Sequence, residues 1–439
     1  MFESALSFAE EQLWLADQPG STAFPFIDCT RSLSVVVRLE HSLNRQALQC
    51  SLDDIVRRHD VLRSTFVARQ GRPQRLMRRS SSAALQTIDL RCAGDDRQAL
   101  VTRVLEEHVS RPFDLTRGPL LRAVLLSLAD DDHVLAITVH HIVFDRWSKR
   151  VLARELKQFY EAYASGRTPV VEPLRSNYGD YVQWQRQQLD GPFSRELVAY
   201  WTAQLAGLSD VRLSGDLDCE CVTSTRGGKW SFAIPEQDAS RLDAMSRRCR
   251  VTLTTVLLAM FTLFLGRLSG LDDVAVGVPL PDRRRPDFEP LIGLFANVVV
   301  VRTAIARGTT FLELLQRVRR ALFDACRYQD LPYGQLLRMV GAQTPLHRIV
   351  FNFLSDIPAS DVGLAGLRVT PLQVGTEHPA VADLSLHVRR QPAGLACRLV
   401  YKADRFSASW AQAFAAQFQT LITAVLDEPQ KEVGAWRTH

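Results

Sequence analysis

The sequence of 439 residues lacks a long uncharged apolar run and a recognisable targeting segment. Its most apolar stretch, residues 251–270, is interrupted by Arg267, so it falls short of a membrane-spanning helix. The N-terminal residues MFES are acidic, and no apolar segment with a cleavage site follows them, which argues against a signal peptide. These absences predict a cytoplasmic protein that does not associate with a membrane.

A cluster of cysteines is absent as well. The eight cysteines are scattered, and only Cys219 and Cys221 lie close together. A single Cys-x-Cys pair is a weak metal signal, because structural zinc sites require a second pair of ligands. We therefore expect a reduced protein that binds no metal.

The chain also has no strong charge of one sign. There are 53 Lys and Arg residues against 48 Asp and Glu residues, which gives a net charge of +5. This excess is too small and too dispersed to indicate nucleic acid, although it suits an acidic protein partner. The content of 46% hydrophobic and 23% charged residues is typical of globular proteins, and the length predicts two or three domains.

The first half of the chain alternates helical and strand periodicity. An apolar stripe predicts a helix that begins after a cap at Ser42 or Asn44 and ends near His59, and a second helix ends before Pro112. Two apolar runs joined by three aspartates predict a β-hairpin, and another helix follows it. The hairpin arms are predicted at 120–128 and 134–139, the later helix at 151–160.

The second half repeats this pattern after a helical crossing predicted at residues 173–207. Two similar α/β halves with mixed sheets are therefore expected, with the boundary between residues 1–175 and 176–439, and a functional site is expected between them. Helices are predicted at 235–250, 253–268, 311–327 and 407–426, and strands at 274–278, 298–301, 349–353, 384–390 and 395–401.

Two adjacent histidines, His140 and His141, end the second strand of the first hairpin, and Asp145 follows across a turn. Successive side chains of a strand point to opposite faces, so one histidine should face a site and the other should pack inside. An imidazole can take up a proton near neutral pH, whereas Asp145 is better placed to hold the loop through an ion pair. The His-x-x-x-Asp spacing alone is common by chance and favours a structural role.

The histidine pair is one of seven motifs that occur in a characteristic order. Through these motifs and their order the chain resembles the condensation domains of nonribosomal peptide synthetases, which belong to the chloramphenicol-acetyltransferase-like superfamily. The motifs are SFAEEQLW at 7–14, RHDVLRSTF at 58–66, RPFDL at 111–115 with GPLLR at 118–122, HHIVFDRWS at 140–148, YGDYVQW at 178–184, IGLFAN at 292–297 running to Arg302, and QDLPY at 329–333.

The resemblance implies a fold and an activity. The fold would be two acetyltransferase-like lobes of mixed sheets and helices in a V shape with a tunnel between them. A donor carrier protein would bring an acyl or peptidyl thioester, and an acceptor carrier or a soluble small molecule would bring an amine or a hydroxyl. The phosphopantetheine arms would belong to the carriers, so the chain, which is expected to be monomeric, would bind no cofactor of its own. It is expected to be either a free-standing enzyme, which Met1 and the tail at 431–439 favour, or a domain of a larger synthetase.

The resemblance also assigns site residues. His141 takes the catalytic position, Asp145 is expected to pair with Arg63, and His140 is expected to pack behind the strand end. The candidates for lining the tunnel are Arg146, Trp147, Ser148 and Asn297. Two of these have ordinary alternatives, because Trp147 suits packing at a helix start and Asn297 suits a turn before the strand at 298–301. The run of arginines at 283–285 is expected in a solvated loop or against an acidic carrier or its phosphate.

The sequence departs from the family pattern at several positions. Gln12 stands where an arginine is usual, Arg146 where a glycine is usual, and Tyr328 where His or Asn is usual. A further family motif, which usually follows QDLPY, survives only as TPL at 344–346. If Arg146 points into the tunnel, it should favour an acceptor with a carboxylate and lower the pKa of His141. If it points outward, it has no such role. The arginine at position 146 is also compatible with the alternative that the domain is catalytically silent and recruits a partner protein.

Overall fold

The helices form because apolar stripes recur at helical spacing, and capping side chains fix many of their first turns. The computed structural model describes residues 2–18, 32–78, 82–208, 211–217, 226–306, 308–339, 348–354, 363–364, 366–372, 374 and 380–435. Within them the helices are α1 Phe8–Ala16, α2 Arg45–Arg58, α3 Arg97–Ser110, α4 Arg146–Ala164, α5 Tyr178–Asp190, α6 Phe193–Leu205, α7 Glu236–Cys249, α8 Leu253–Ser269, α9 Phe311–Arg327, α10 Tyr333–Met339 and α11 Ala408–Asp427.

The strands coincide with the apolar and alternating runs of the sequence. They are β1 Phe2–Ser4, β2 Ser32–Glu40, β3 Ser64–Arg69, β4 Arg72–Met77, β5 Ala84–Asp89, β6 Leu121–Ala129, β7 Asp132–His140, β8 Gly227–Pro235, β9 Asp273–Pro281, β10 Ala296–Ala304, β11 Ile349–Leu354, β12 Arg368–Pro371, β13 Leu384–Gln391 and β14 Gly394–Lys402. Short 3₁₀ turns occur at Asp60–Arg63, Gly94–Asp96, His141–Val143, Pro286–Phe288 and Val433–Ala435.

The first lobe is built on a five-stranded mixed sheet in the order β12-β2-β7-β6-β5. The hairpin of β6 and β7 is antiparallel, and β5 runs parallel to β6. Helices α2 and α4 pack against each other on one side of the sheet, while Val101 and Leu105 of α3 pack on the other side. The two strands of the hairpin are therefore buried on both faces, which explains why they are almost wholly apolar.

The second lobe is built on a six-stranded mixed sheet in the order β10-β9-β11-β13-β14-β8. Strand β11 is parallel to both β9 and β13, and the other pairs are antiparallel. Helix α8 is buried over most of its length because it packs inside this lobe, against α7, α9, α11 and the sheet. Its uniformly apolar sequence thus reflects burial in a protein core.

Two connections tie the lobes together. Strand β12, which belongs to the second half of the sequence, pairs antiparallel with β2, so that Val369 lies opposite Leu39. Residues 282–295, between β9 and β10, contact the start of α4. In addition, one continuous hydrophobic cluster includes buried side chains of both lobes, such as Leu48 and Leu257.

The structure confirms a mixed α/β fold and all the helices and hairpins predicted from the sequence, with ends that agree within a few residues except at α4. The strand predicted at 298–301 is longer at its start, because Asn297 is already the second residue of β10. Helix α4 begins earlier than the apolar stripe indicated, because Asp145 caps it. The Cys219–Cys221 pair and the TPL remnant at 344–346 lie outside the described residues.

Among the described residues, no single helix has the length and apolarity needed to cross a membrane. Helices α7 and α8 meet that requirement only when taken together, and they are bent by 105°.

Candidate active site

The candidate site begins where β7 ends. His140 is its last residue, His141 starts a single 3₁₀ turn, and Asp145 is the N-cap of α4. The imidazole of His140 packs edge-on against Phe113, and its Nδ1 accepts a hydrogen bond of 3.1 Å from the backbone N–H of Ile142. The side chain of His140 therefore packs against Phe113 and accepts a hydrogen bond from the turn that carries His141.

Asp145 forms its ion pair with Arg283. Nη2 of Arg283 lies 3.1 and 3.3 Å from the two carboxylate oxygens, and both side chains are buried. The predicted pairing with Arg63 is wrong, because Nη1 of Arg63 donates instead to the carbonyl oxygen of Arg78 at 2.9 Å. Asp145 lies at the start of α4, which packs against the other lobe, so its ion-pair partner comes from that lobe.

Arg283, the first residue of the arginine run at 283–285, is buried, so the expectation of a solvated loop is wrong for this residue. Arg283 is 6% exposed, and its Nη1 donates to the carbonyl oxygens of Phe288 and Leu291 at 2.8 and 2.6 Å. The two following arginines are more exposed and form ion pairs: Arg284 with Asp282 and Asp330, and Arg285 with Asp287. The sequence could not distinguish these positions, because three consecutive arginines carry no periodic signal.

Ser148 completes the junction between the lobes. Its Oγ lies 2.7 Å from Oδ1 of Asp145, and it accepts hydrogen bonds of 3.0 Å from the N–H of Gly293 and from Nη2 of Arg283. The backbone N–H of Phe295 donates to the other oxygen of Asp145 at 3.1 Å. Ser148 is fully buried, so its prediction as a tunnel-lining residue is wrong, because its hydroxyl is used within this junction.

His141 is buried, with 5% of its surface exposed. Its Nδ1 forms no hydrogen bond of normal geometry to any part of the chain that the structure describes. Burial lowers the pKa of the imidazole, and Lys149 lowers it further, whereas Asp145 and the backbone of the turn act in the opposite direction. The net effect favours the neutral ring, which is the form that can accept a proton.

Lys149, which the sequence motifs do not single out, lies on the same face of α4 as Arg146. Its Nζ donates a hydrogen bond of 3.0 Å to the carbonyl oxygen of Ser34 in β2. Burial lowers the pKa of its ammonium group to about 8, and the nearby charges of Arg146 and Arg389 act in the same direction. The sequence signal that could have identified Lys149 is its i, i+3 spacing from Arg146, directly after the histidine motif.

The remaining candidates have defined contacts. Trp147 donates from Nε1 to the carbonyl oxygen of Glu289 at 2.9 Å, so it packs against the crossing segment at the helix start. Nδ2 of Asn297 donates to the carbonyl oxygens of Gln329 and Leu331 at 2.7 and 3.0 Å. The side chain of Asn297 therefore holds the turn of the QDLPY motif, and Arg146 is exposed at the first position of α4.

A second junction lies behind the crossing segment. Nε2 of His59 is 2.8 Å from Oε2 of Glu155, and Nδ1 of His59 accepts a hydrogen bond of 3.2 Å from the N–H of Ile292. Arg58 donates to the other oxygen of Glu155 at 3.0 Å. Sequence reasoning found the RHD motif but not these partners, which are separated from it by about a hundred residues or more. Among the described residues no group of three or more potential metal ligands is present.

Comparisons with known proteins show the family and the fold of the chain. A family model described as Condensation domain matches residues 31–438. A linear gramicidin synthase polypeptide of Brevibacillus parabrevis is 34% identical over 98% of this chain, which spans only 6% of that polypeptide. Malpinin synthetase of Mortierella alpina is 32% identical over 98% of this chain, which again spans 6% of the relative.

Two sets of solved structures share the fold. The X-domain from teicoplanin biosynthesis, alone and in its complex with OxyB, superposes with TM-scores of 0.85 and 0.83 at 25% identity, over 99% of this chain and 97% and 96% of the other. The first condensation domain of the calcium-dependent antibiotic synthetase superposes with a TM-score of 0.81 at 20% identity, over 99% and 98% of the two chains.

Proposed function

Because the chain belongs to the condensation-domain family of nonribosomal peptide synthetases, we propose that it transfers an acyl or peptidyl group from a carrier-protein thioester to an amine or hydroxyl acceptor. His141 is the catalytic residue in this proposal. Support comes from its buried imidazole, whose lowered pKa keeps the ring neutral at physiological pH.

The proposed reaction needs one proton acceptor and no covalent enzyme intermediate. The acceptor nitrogen or oxygen attacks the carbonyl carbon of the thioester while its proton passes to the imidazole of His141. The new C–N or C–O bond forms, the C–S bond breaks, and the imidazolium returns the proton to the departing thiolate. The ion pair of Asp145 with Arg283 holds the turn that carries His141, so Asp145 is a positioning residue.

The partners follow from this reaction. Acyl or peptidyl carrier proteins supply the phosphopantetheine thioester as substrate, and a second carrier or a soluble amine or alcohol supplies the nucleophile. The chain itself holds no cofactor in this proposal, because acyl transfer between a thioester and a nucleophile requires none.

A second candidate is a catalytically silent domain that recruits a partner protein. One observation favours it: Arg146 replaces the glycine that is usual in the family. The X-domain from teicoplanin biosynthesis has the same fold, with a TM-score of 0.85. One of the solved X-domain structures is a complex with OxyB.

Mass spectrometry of an acyl-loaded donor carrier, incubated with the protein and candidate acceptors, distinguishes the two candidates. The enzyme should form an amide or ester product, and His141→Ala should lower the rate by about 10²–10⁴ while the circular dichroism spectrum is unchanged. A His141→Ala rate within a few-fold of wild type would place the chemistry elsewhere. Absence of product with every acceptor, together with stable capture of a partner protein by pull-down, would favour the silent domain.

A further inference from the structure

Two sequence motifs that the proposed reaction does not use meet at the end of β7. Phe113 belongs to the RPFDL motif after α3, and Arg122 belongs to the GPLLR motif and lies in β6. The central carbon of the Arg122 guanidinium lies 4.0 Å from the centre of the Phe113 ring. The centre of that ring is 5.9 Å from the centre of the His140 imidazole, and the planes of the two rings meet at 85°. These three side chains therefore form one column, which ends at the turn that carries His141.

The C-terminal end of α3 holds Arg122 in place. Nε and Nη2 of Arg122 donate to the carbonyl oxygen of His108 at 3.0 and 2.7 Å, and Nη2 also donates to the carbonyl oxygen of Arg111. Nη1 donates to the carbonyl oxygen of Pro112 at 3.4 Å. The last carbonyl groups of a helix carry partial negative charge and have no partner within the helix, so they suit a cation. Backbone groups thus fix the guanidinium over the ring.

The imidazole of His140 is itself part of the turn. Its Nδ1 accepts a hydrogen bond of 3.1 Å from the backbone N–H of Ile142. An imidazole nitrogen that accepts a hydrogen bond carries no proton, so this contact requires the tautomer with the proton on Nε2. Ile142 directly follows His141, so the hydrogen bond closes the backbone around the proposed catalytic residue. Rotation of the His140 ring would break this bond and release the turn.

We infer that Phe113 and Arg122 are positioning residues of the acyl transfer, because they hold the His140 ring in the orientation that binds the turn and so presents His141 to the substrates. The inference rests on the proposed acyl transfer for the reaction that His141 carries out. Perpendicular aromatic pairs are stabilised where the edge of one ring meets the face of the other, and a cation over a ring face adds a further attraction. Both interactions depend on direction, so they select one orientation of the imidazole.

The column could instead serve only to stabilise the end of α3, and a leucine at position 113 separates the two roles. Leucine keeps an apolar side chain against His140, but it has no ring face, so the directional contacts with Arg122 and His140 are lost. A column that only fills space tolerates this change. A column that orients the imidazole does not.

Steady-state kinetics of Phe113→Leu and Arg122→Met with an acyl-loaded donor carrier test the inference. Both substitutions should lower kcat by about 10- to 100-fold, because a misplacement of about 1 Å in a catalytic group costs rate of this order, and KM should stay within about twofold. Phe113→Tyr keeps the ring face and should recover most of the kcat that Phe113→Leu loses. Phe323→Leu is the matched control, since the ring of Phe323 is 69% exposed on α9. The two substitutions act on the column from opposite ends, so one remains informative if the other prevents folding.

Nuclear magnetic resonance of protein with isotope-labelled histidine gives a second readout that does not need activity. The His140 ring should show the Nε2-protonated tautomer in wild type, Phe113→Tyr and Phe323→Leu, and a mixture of tautomers in Phe113→Leu and Arg122→Met. If no protein forms product but the tautomers follow this pattern, the orienting column stands and the proposed acyl transfer fails. If Phe113→Leu and Arg122→Met keep the wild-type tautomer, or form product with the wild-type kcat, the inference is refuted.

Discussion

At the scale of single residues, substitutions of Arg283 and Arg63 test which of the two arginines stabilises Asp145. Arg283→Met leaves the buried carboxylate of Asp145 without its counter-charge, and breaking a buried pair typically costs about 3–5 kcal/mol. We expect a loss of this size in the free energy of unfolding, measured by urea denaturation. Arg63→Met should cost less than Arg283→Met, because it leaves the ion pair of Asp145 in place. Equal losses for the two variants would contradict the assignment of Arg283 as the partner.

The pH dependence of the proposed acyl transfer should follow the protonation state of His141. Its pKa is lowered from 6.5, so the ring stays neutral as the pH falls through 6.5 and becomes protonated only below it. The acid limb of the pH–rate profile should therefore lie below pH 6.5. Lys149→Met removes a cation that lowers this pKa, so the acid limb should move upward, whereas Lys157→Met should leave it in place. A downward shift in Lys149→Met would contradict the electrostatic contribution of Lys149.

The same residues show where inference from the sequence stops. His141, His140 and Asp145 are identifiable because their motif is contiguous and lies at the end of a predicted strand. Arg283 is separated from Asp145 by 138 residues, and its burial depends on how the crossing segment folds back on α4. Local periodicity carries no information about such a contact, so Arg63, which was chosen because it belongs to a recognised motif of the family, was the wrong partner.

At the scale of elements, the crossing segment at 282–295 is held by close packing as well as by hydrogen bonds. A Cβ atom at Gly293 would overlap the rings of Tyr178 and Phe295, which are both buried. Gly293→Ala should therefore destabilise the protein by about 1–3 kcal/mol and lower the rate, because Gly293 also contacts Ser148. Gly434→Ala is the control, since no described atom lies within 4 Å of its added Cβ. If Gly293→Ala leaves the melting temperature unchanged, the ring of Tyr178 can move to make room for the added Cβ.

Helices and hairpins were predictable because their signals are local. The stripes that define α2, α9 and α11 and the alternating arms of β13 and β14 follow from neighbouring residues alone. The pairing of β12 with β2 was not predicted, because Arg368 and Glu40 lie more than three hundred residues apart. A strand of four residues also offers too short a run for its alternation to stand out.

At the scale of the whole molecule, the shared core predicts cooperative unfolding. One hydrophobic cluster contains buried residues of both lobes, and β12 and the crossing segment join them further. Differential scanning calorimetry should therefore show one endotherm, with a van't Hoff enthalpy close to the calorimetric enthalpy. Two resolved endotherms would mean that the lobes unfold independently despite their common core.

The placement of β12 has a consequence for building hybrid proteins. This strand belongs to the second half of the sequence, yet it forms the edge of the first sheet, beside β2. A chimera that joined residues 1–175 of this chain to the second half of a relative would complete its first sheet with a foreign strand, whose side chains have to match those of β2. Domain exchange between such proteins should therefore transfer residues 366–372 together with the first half, although they are distant in sequence.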